Sequence, residues 1–168
     1  MKIVKIKRGV ANITDSVVSL GIALVLIGVV LGLSYIAYNK FYATSEVTLI
    51  TNLITETKQS RSSNGYGTSD YTTMLIQSGA VPKSSVSSGK IVNRSGGEIT
   101  VKGAGIGFTV TDTLLANSDC IRLASQLGTS EMASTKINGQ SITGEVTAVA
   151  ATAACTTDSN TVVFTTKS

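Results

Sequence analysis

The most apolar part of the chain is an uninterrupted segment near its start. Residues 16–39 read SVVSLGIALVLIGVVLGLSYIAYN and contain no charged side chain. A helix of this length is about 36 Å long, which is enough to cross a hydrocarbon core of about 30 Å. The pattern therefore predicts a membrane-spanning helix over about residues 16–39.

Basic residues precede this segment and indicate its orientation. Lys2, Lys5, Lys7 and Arg8 come before the first acid, Asp15. The positive-inside rule then places the start of the chain in the cytoplasm and the residues after the span outside the inner membrane. A removed secretory signal peptide is the alternative, but its apolar region is about 7–15 residues long and ends in a small-x-small site. This segment is too long and lacks that site, so a retained anchor is favoured.

A helical pattern continues beyond the apolar segment. No proline interrupts residues 10–81, and Ile50, Leu53, Ile54 and Thr57 fall on one stripe. Polar residues dominate from Ser60 onwards, so we expect one helix from about Thr14 to Ser62, about 73 Å long. Its second half needs a folded partner for the apolar stripe.

The rest of the chain predicts a small α+β head. Short segments separated by Gly, Ser and Asn favour strands at 90–93, 98–102, 106–110 and 161–165. A single helical turn is expected at 71–77, within a long loop that holds Pro82. A longer helix is expected from Asn117, as N-cap, to Gly128, and a short one at 147–155. The predicted domains are therefore a basic leader (1–9), the long helix (10–62) and a globular head (63–168).

Charge and composition argue against most binding and catalytic functions. The four leading basic residues account for the whole net charge of +4, so residues 10–168 are neutral. Nucleic-acid binding is not expected, because it requires a basic folded surface. His is absent, which removes the usual general base, metal ligand and nucleophile partner. The carboxylates form no acid/base motif, and nearly all are expected on a solvated surface. We expect no enzymatic activity, no cofactor and no metal site.

The two cysteines lie on the predicted outer side of the membrane, where thiols become oxidised. Cys120 lies on the predicted core face of its helix with Leu123 and Ala124, and Cys155 precedes the last strand. Two cysteines without His supply too few ligands for zinc, and their separation is not a CxxC motif. We therefore expect a Cys120–Cys155 disulfide, which contributes about 3.8 kcal/mol in the chain-entropy model.

The order of these features resembles that of the type IV pilins, and within them the type IVb group of bundle-forming and conjugative thin-pilus pilins. The resemblance covers almost the whole chain, and each of its motifs is loose. It is carried by Lys7-Arg8-Gly9 before the apolar helix, Ser78-Gly79-Ala80-Val81-Pro82, Gly96-Gly97-Glu98-Ile99-Thr100-Val101, Asp119-Cys120-Ile121-Arg122-Leu123-Ala124, Leu127-Gly128-Thr129-Ser130, and Ala150 to Cys155 before Asp158-Ser159-Asn160. It implies a long helix packed on a small antiparallel sheet, with a disulfide-tied C-terminal region.

The resemblance also implies processing. A prepilin peptidase would cut between Gly9 and Val10 and methylate the new amino group of Val10. The family usually has Glu at the fifth mature position, where this chain has Thr14, and the carboxylate is at Asp15 instead. Asp15 either takes the role of that Glu in assembly or, with Thr14, only caps the helix.

The function implied is that of a pilus subunit. The prepilin would enter the bacterial inner membrane, and assembly machinery would polymerise the mature chains into an extracellular filament for adhesion, aggregation or mating contact. Small residues such as Gly28 and Gly32 would allow the helices to approach closely. One alternative is a minor pilin, or a pseudopilin of a type II secretion system. Another is a membrane-anchored binding domain that never polymerises.

Overall fold

The computed structural model describes residues 13–167, and within this range it leaves out the side chains of 13–19 and 35–45. The predicted leader (1–9) and the Gly9–Val10 cleavage site lie outside the described residues. The chain divides into two compact units, Met1–Lys40 and Phe41–Ser168. The second unit is called the head below. The predicted domain bounds remain a prediction.

The first helix, α1, runs continuously over Ile13–Gln59. One long helix was predicted, and it ends at Gln59 instead of Ser62. Within the part of the chain that the structure describes, no helix combines the length and apolar character that a membrane span requires. The predicted span over 16–39 includes residues whose side chains are not described.

The head contains one antiparallel sheet of seven strands in the order β1-β2-β3-β4-β7-β5-β6. This confirms the predicted α+β class with a small antiparallel sheet. The strands are β1 (Val86–Ser87), β2 (Lys90–Val92), β3 (Glu98–Ala104), β4 (Gly107–Leu115), β5 (Met132–Ile137), β6 (Gln140–Ile142) and β7 (Asn160–Thr166).

Strands β2, β3, β4 and β7 were predicted, although β4 continues to Leu115 instead of ending at residue 110. Strands β1, β5 and β6 were not. The local signal of β5 is weak because it reads MASTKI, and its position depends on pairing with β7 on one side and β6 on the other.

Three short α-helices lie among these strands: α2 (Thr72–Gln77), α3 (Asn117–Leu127) and α4 (Ala148–Ala154). A 3₁₀ turn covers Lys83–Ser85. The prediction of Asn117 as the N-cap of α3 is wrong, because Ala116 is the cap residue and makes no side-chain cap bond. Thr147 does cap α4, since its side chain accepts a hydrogen bond from the Ala150 amide.

The head has a core to which both α1 and the sheet contribute. The predicted stripe on α1 is buried, with Ile50 and Leu53 inaccessible to solvent. The Thr57 hydroxyl is also buried and donates to the Leu53 carbonyl at 2.6 Å, so it adds no unpaired polar group. The sheet contributes alternate residues, including Phe108 and Val110 of β4. The prediction that the second half of the helix needs a folded partner is confirmed.

A disulfide joins Cys120 of α3 to Cys155, directly after α4, with the two Cα atoms 6.0 Å apart. The predicted pairing is confirmed. Both cysteines are buried, and the covalent link holds α4 and the start of β7 against α3.

Removing this link is expected to destabilise the head. The C120A/C155A double variant should lose about 3–4 kcal/mol of unfolding free energy, because the unfolded chain regains the entropy of a closed loop. Urea unfolding of the full chain in detergent micelles, followed by circular dichroism, measures this. Wild type treated with a reductant is the matched control and should lose a similar amount. A wild-type midpoint unchanged by reduction would contradict this role of the disulfide.

Candidate functional site

The first unit contains an apolar segment, Leu20–Ser34, whose side chains are all exposed. Ten large aliphatic side chains in it are 54–67% exposed: Leu20, Ile22, Leu24, Val25, Leu26, Ile27, Val29, Val30, Leu31 and Leu33. Contiguous apolar surface of this extent marks an interaction site. It fits an apolar environment that surrounds the helix on every side, since no polar face interrupts it.

The glycines of this segment leave room for close neighbours. A Cβ atom added at Gly21, Gly28 or Gly32 would meet no atom within 4 Å. Gly28 and Gly32 are four residues apart on one face of the helix, the spacing that lets two apolar helices bring their backbones together.

The predicted assembly residues Thr14 and Asp15 lie in the first described turn of α1, and their side chains are not described. Their roles therefore remain predictions, as do cleavage after Gly9 and methylation of Val10.

Within the head, the outward side of α1 carries Thr51 and Thr55, followed one turn later by the exposed Lys58. Both threonines are exposed, and their hydroxyls donate to the carbonyls of Val47 and Thr51, one turn earlier, at 2.8 and 2.9 Å. Because these hydroxyl donors are already satisfied within the helix, covering the two threonines requires little loss of hydrogen bonding to water.

A buried pair of carboxyl groups lies where α1 meets the sheet. Glu46 of α1 is only 7% exposed, and Asp112 of β4 is inaccessible. The two side chains are within hydrogen-bonding reach of each other. This corrects the expectation of a solvated surface for these two residues, because burial without a paired cation leaves a carboxylate poorly solvated.

A hydrogen-bond network fixes Asp112 in place. The Asn93 side-chain amide donates to Asp112 Oδ1 at 2.7 Å and to the Thr113 carbonyl at 2.6 Å, and Asn93 Oδ1 accepts from the Gly97 amide at 2.7 Å. Gly97 is required here because any Cβ atom would clash with the Thr113 carbonyl. The network ties the turn between β2 and β3 to β4 and holds the Asp112 carboxyl rigidly.

Burial sets the ionisation of the pair. It raises the pKa of Asp112 well above its usual value, and the adjacent Glu46 carboxyl raises that pKa further. Burial is also the main cause that raises the pKa of Glu46, against an opposing effect of the hydrogen bond with Asp112. The pair therefore favours a protonated carboxyl.

The sequence did contain the signals for this pair. Glu46 precedes Ile50 and Leu53 by four and seven residues, which is the spacing of the buried stripe. Asp112 continues the alternation of Phe108 and Val110 in β4. Treating residue 110 as the end of the strand concealed the inward position of Asp112.

The surroundings of the pair provide no substrate pocket. The shallow depression beside Glu46 is lined also by Val47, Asp119, Arg122 and Leu123, and it encloses no volume that a water molecule could occupy. Among the side chains that the structure describes, no three metal-ligating groups come together.

Comparison with known proteins agrees with the architecture. The family model described as PilS N terminal matches residues 41–167, which is most of the chain. A search of curated proteins gave no match. The matched residues include the sheet, the disulfide and the head portion of α1, and the pilins of this family are structural proteins without enzymatic activity. The chain therefore belongs to the PilS family of type IVb pilins.

Proposed function

We propose that this chain is the structural subunit of a type IVb-like pilus and that it polymerises through the apolar segment of α1. The observation that carries the proposal is the exposed Leu20–Ser34 segment in a member of a pilin family. Each large aliphatic side chain gains about 1.5–3 kcal/mol when it is fully buried, so the ten exposed ones together supply a driving force of tens of kcal/mol.

The same segment suits the environment of the chain before assembly and its environment after assembly. Before assembly, residues 16–39 hold the prepilin in the inner membrane, because 24 uncharged and mainly apolar residues suit the hydrocarbon core. Assembly transfers the helix from lipid into a bundle of identical helices, and Gly28 and Gly32 allow their close approach. Energy for the extraction comes from separate assembly machinery.

Processing precedes assembly in this proposal. A prepilin peptidase cleaves between Gly9 and Val10 and methylates the Val10 amino group. Cleavage removes all four basic residues of the leader and leaves a subunit with balanced side-chain charge. The neutral subunit suits a fibre in which many copies pack together, because net charge of one sign would oppose their association.

A minor pilin that initiates or tips the filament is the second candidate. It is favoured by one observation, the presence of Thr14 where pilins usually have Glu. The abundance of the chain in sheared filaments distinguishes the two, since a shaft subunit dominates them and a priming subunit is rare.

The intact mass of the subunit in sheared filaments tests processing. We expect the mass of residues 10–168 plus the CH2 that one N-methylation adds, less two hydrogens for the Cys120–Cys155 disulfide. The G9V variant, which places a branched side chain at the scissile position, is the control; we expect it to resist cleavage and to remain in the membrane at full length. A chain that begins at Met1 in wild-type filaments would overturn the proposal.

Asp15 is proposed to pair with the amino terminus of a neighbouring subunit, because a carboxylate at the edge of an apolar bundle needs a cationic partner. Breaking one partner of such a pair costs about 3–5 kcal/mol, so D15N should reduce filament yield by at least about tenfold. Quantified pili from sheared cells measure this.

Asn caps helices as well as Asp does, so D15N removes the charge and keeps the cap. D15A removes both and serves as the comparison. Equal losses in the two variants support pairing. Wild-type yield with D15N and reduced yield with D15A would assign Asp15 to helix capping alone.

A further inference from the structure

Three buried side-chain oxygens in the head have no hydrogen-bond partner. One is the Thr135 hydroxyl of β5, and the other two are Glu46 Oε1 and Asp112 Oδ2, one from each member of the carboxyl pair. Asp112 Oδ1 already accepts from Asn93, so Oδ2 is the oxygen left for another partner. Buried polar atoms without partners are rare in folded proteins, and each one requires an explanation.

A single proton provides the missing partner. Two carboxylates are both acceptors and cannot bond to each other, whereas a carboxylic acid donates one O–H to a carboxylate. The two side chains are already within hydrogen-bonding reach. We propose that Glu46 and Asp112 share one proton and that this carboxyl clasp fastens α1 to β4 until the proton is lost.

The charged groups around the clasp do not replace that proton. Asp119 of α3 faces Glu46 and opposes its ionisation, whereas Arg94, in the turn after β2, favours it, and burial outweighs both. Arg122 of α3 lines the depression beside Glu46. Asp112 is further inside, and its nearest polar partners are Asn93, Thr113 and Glu46 itself. Arg94 therefore acts on Glu46, whereas no cation is among the causes of the raised pKa of Asp112.

Loss of the proton places two negative charges together in a buried site, where like charges repel and are poorly solvated. Asp112 is held in place by the Asn93 network, whereas Glu46 is on α1. The repulsion between the two carboxylates is therefore reduced most readily when the helix moves. The expected response to alkaline pH is a loosened contact between α1 and β4. This inference concerns the head alone and does not depend on polymerisation.

The sign of the pH dependence follows from the proton count. The pKa values of the pair are raised in the folded chain. The clasp therefore contributes its full stabilisation of the fold at pH values below the usual range of carboxyl pKa values. Between that range and the raised pKa, unfolding releases one proton. The unfolding equilibrium constant therefore rises by up to about tenfold per pH unit, and stability is lost as the pH increases.

The test is urea unfolding of the full chain in detergent micelles at pH 5, 7 and 9, with E46Q and D112N. Each variant replaces one carboxyl by an amide of similar shape that donates the hydrogen bond at every pH. Both should lose the tenfold-per-unit dependence and be more stable than wild type at pH 9. E131Q, at an exposed carboxylate, is the matched control and should keep the wild-type slope.

Infrared spectroscopy of the same samples reports the proton directly and does not require the variants to be stable. In a detergent without carbonyl groups, wild type at pH 7 should show the C=O band of a protonated carboxyl, and E46Q and D112N should lack it. A wild-type spectrum without this band at pH 7, or an unchanged pH slope in both variants, would overturn the clasp. A change in filament yield without these changes in stability or spectrum would concern the proposed function and would leave the clasp unaffected.

Discussion

Helix α1 has two parts with different surroundings, and the rest of the structure follows from this difference. Around Ile50 and Leu53, one side of the helix is buried in the head core. From Leu20 to Ser34 the same helix has apolar side chains in every direction and no cover. Apolar surface of this size requires an apolar environment, and the proposed function supplies one first in lipid and then in a bundle of helices. The proposed function is the consequence of this requirement.

The head buries only one side of α1 around Ile50 and Leu53. The sheet supplies the inward residues of β4 and β7, and the disulfide fixes α3 and α4 where they complete the core. Glu46 and Asp112 are the two acidic side chains buried among the described residues of this core. A buried pair of acids contributes less than well-packed apolar residues would, and it introduces a dependence on pH that aliphatic residues cannot provide. The contact between α1 and β4 thus differs in kind from the rest of the core.

Much of this architecture was predictable because the signals were local. Each signal can be read within one segment of the chain. These signals are the uncharged run at 16–39, the helical stripe at Ile50 and Leu53, and the helical spacing of Cys120, Leu123 and Ala124. Strand β5 was missed because its position depends on pairing with β7, which the segment MASTKI does not encode by itself. The hairpin that follows did have a signal, since Asn138-Gly139 takes the positive φ angles that such turns require.

Local signals also made one part of the candidate site predictable, namely the apolar segment, but not the carboxyl pair. The apolar segment of α1 can be recognised from composition alone, whereas the Glu46–Asp112 contact joins residues far apart in the chain. Each residue lies on a buried periodicity, but only the fold brings them together. The resemblance to type IVb pilins was reached through the order of loose motifs, and the match over residues 41–167 assigned the chain to the PilS family.

In the proposed filament, the apolar segment of α1 is buried against other copies of this chain. Hydrogen exchange of intact sheared filaments in the absence of detergent measures this burial. We expect peptides covering residues 20–34 to exchange as slowly as those of β4 and β7 in the head core. Rapid exchange over residues 20–34 in intact filaments would show that the segment is not buried there.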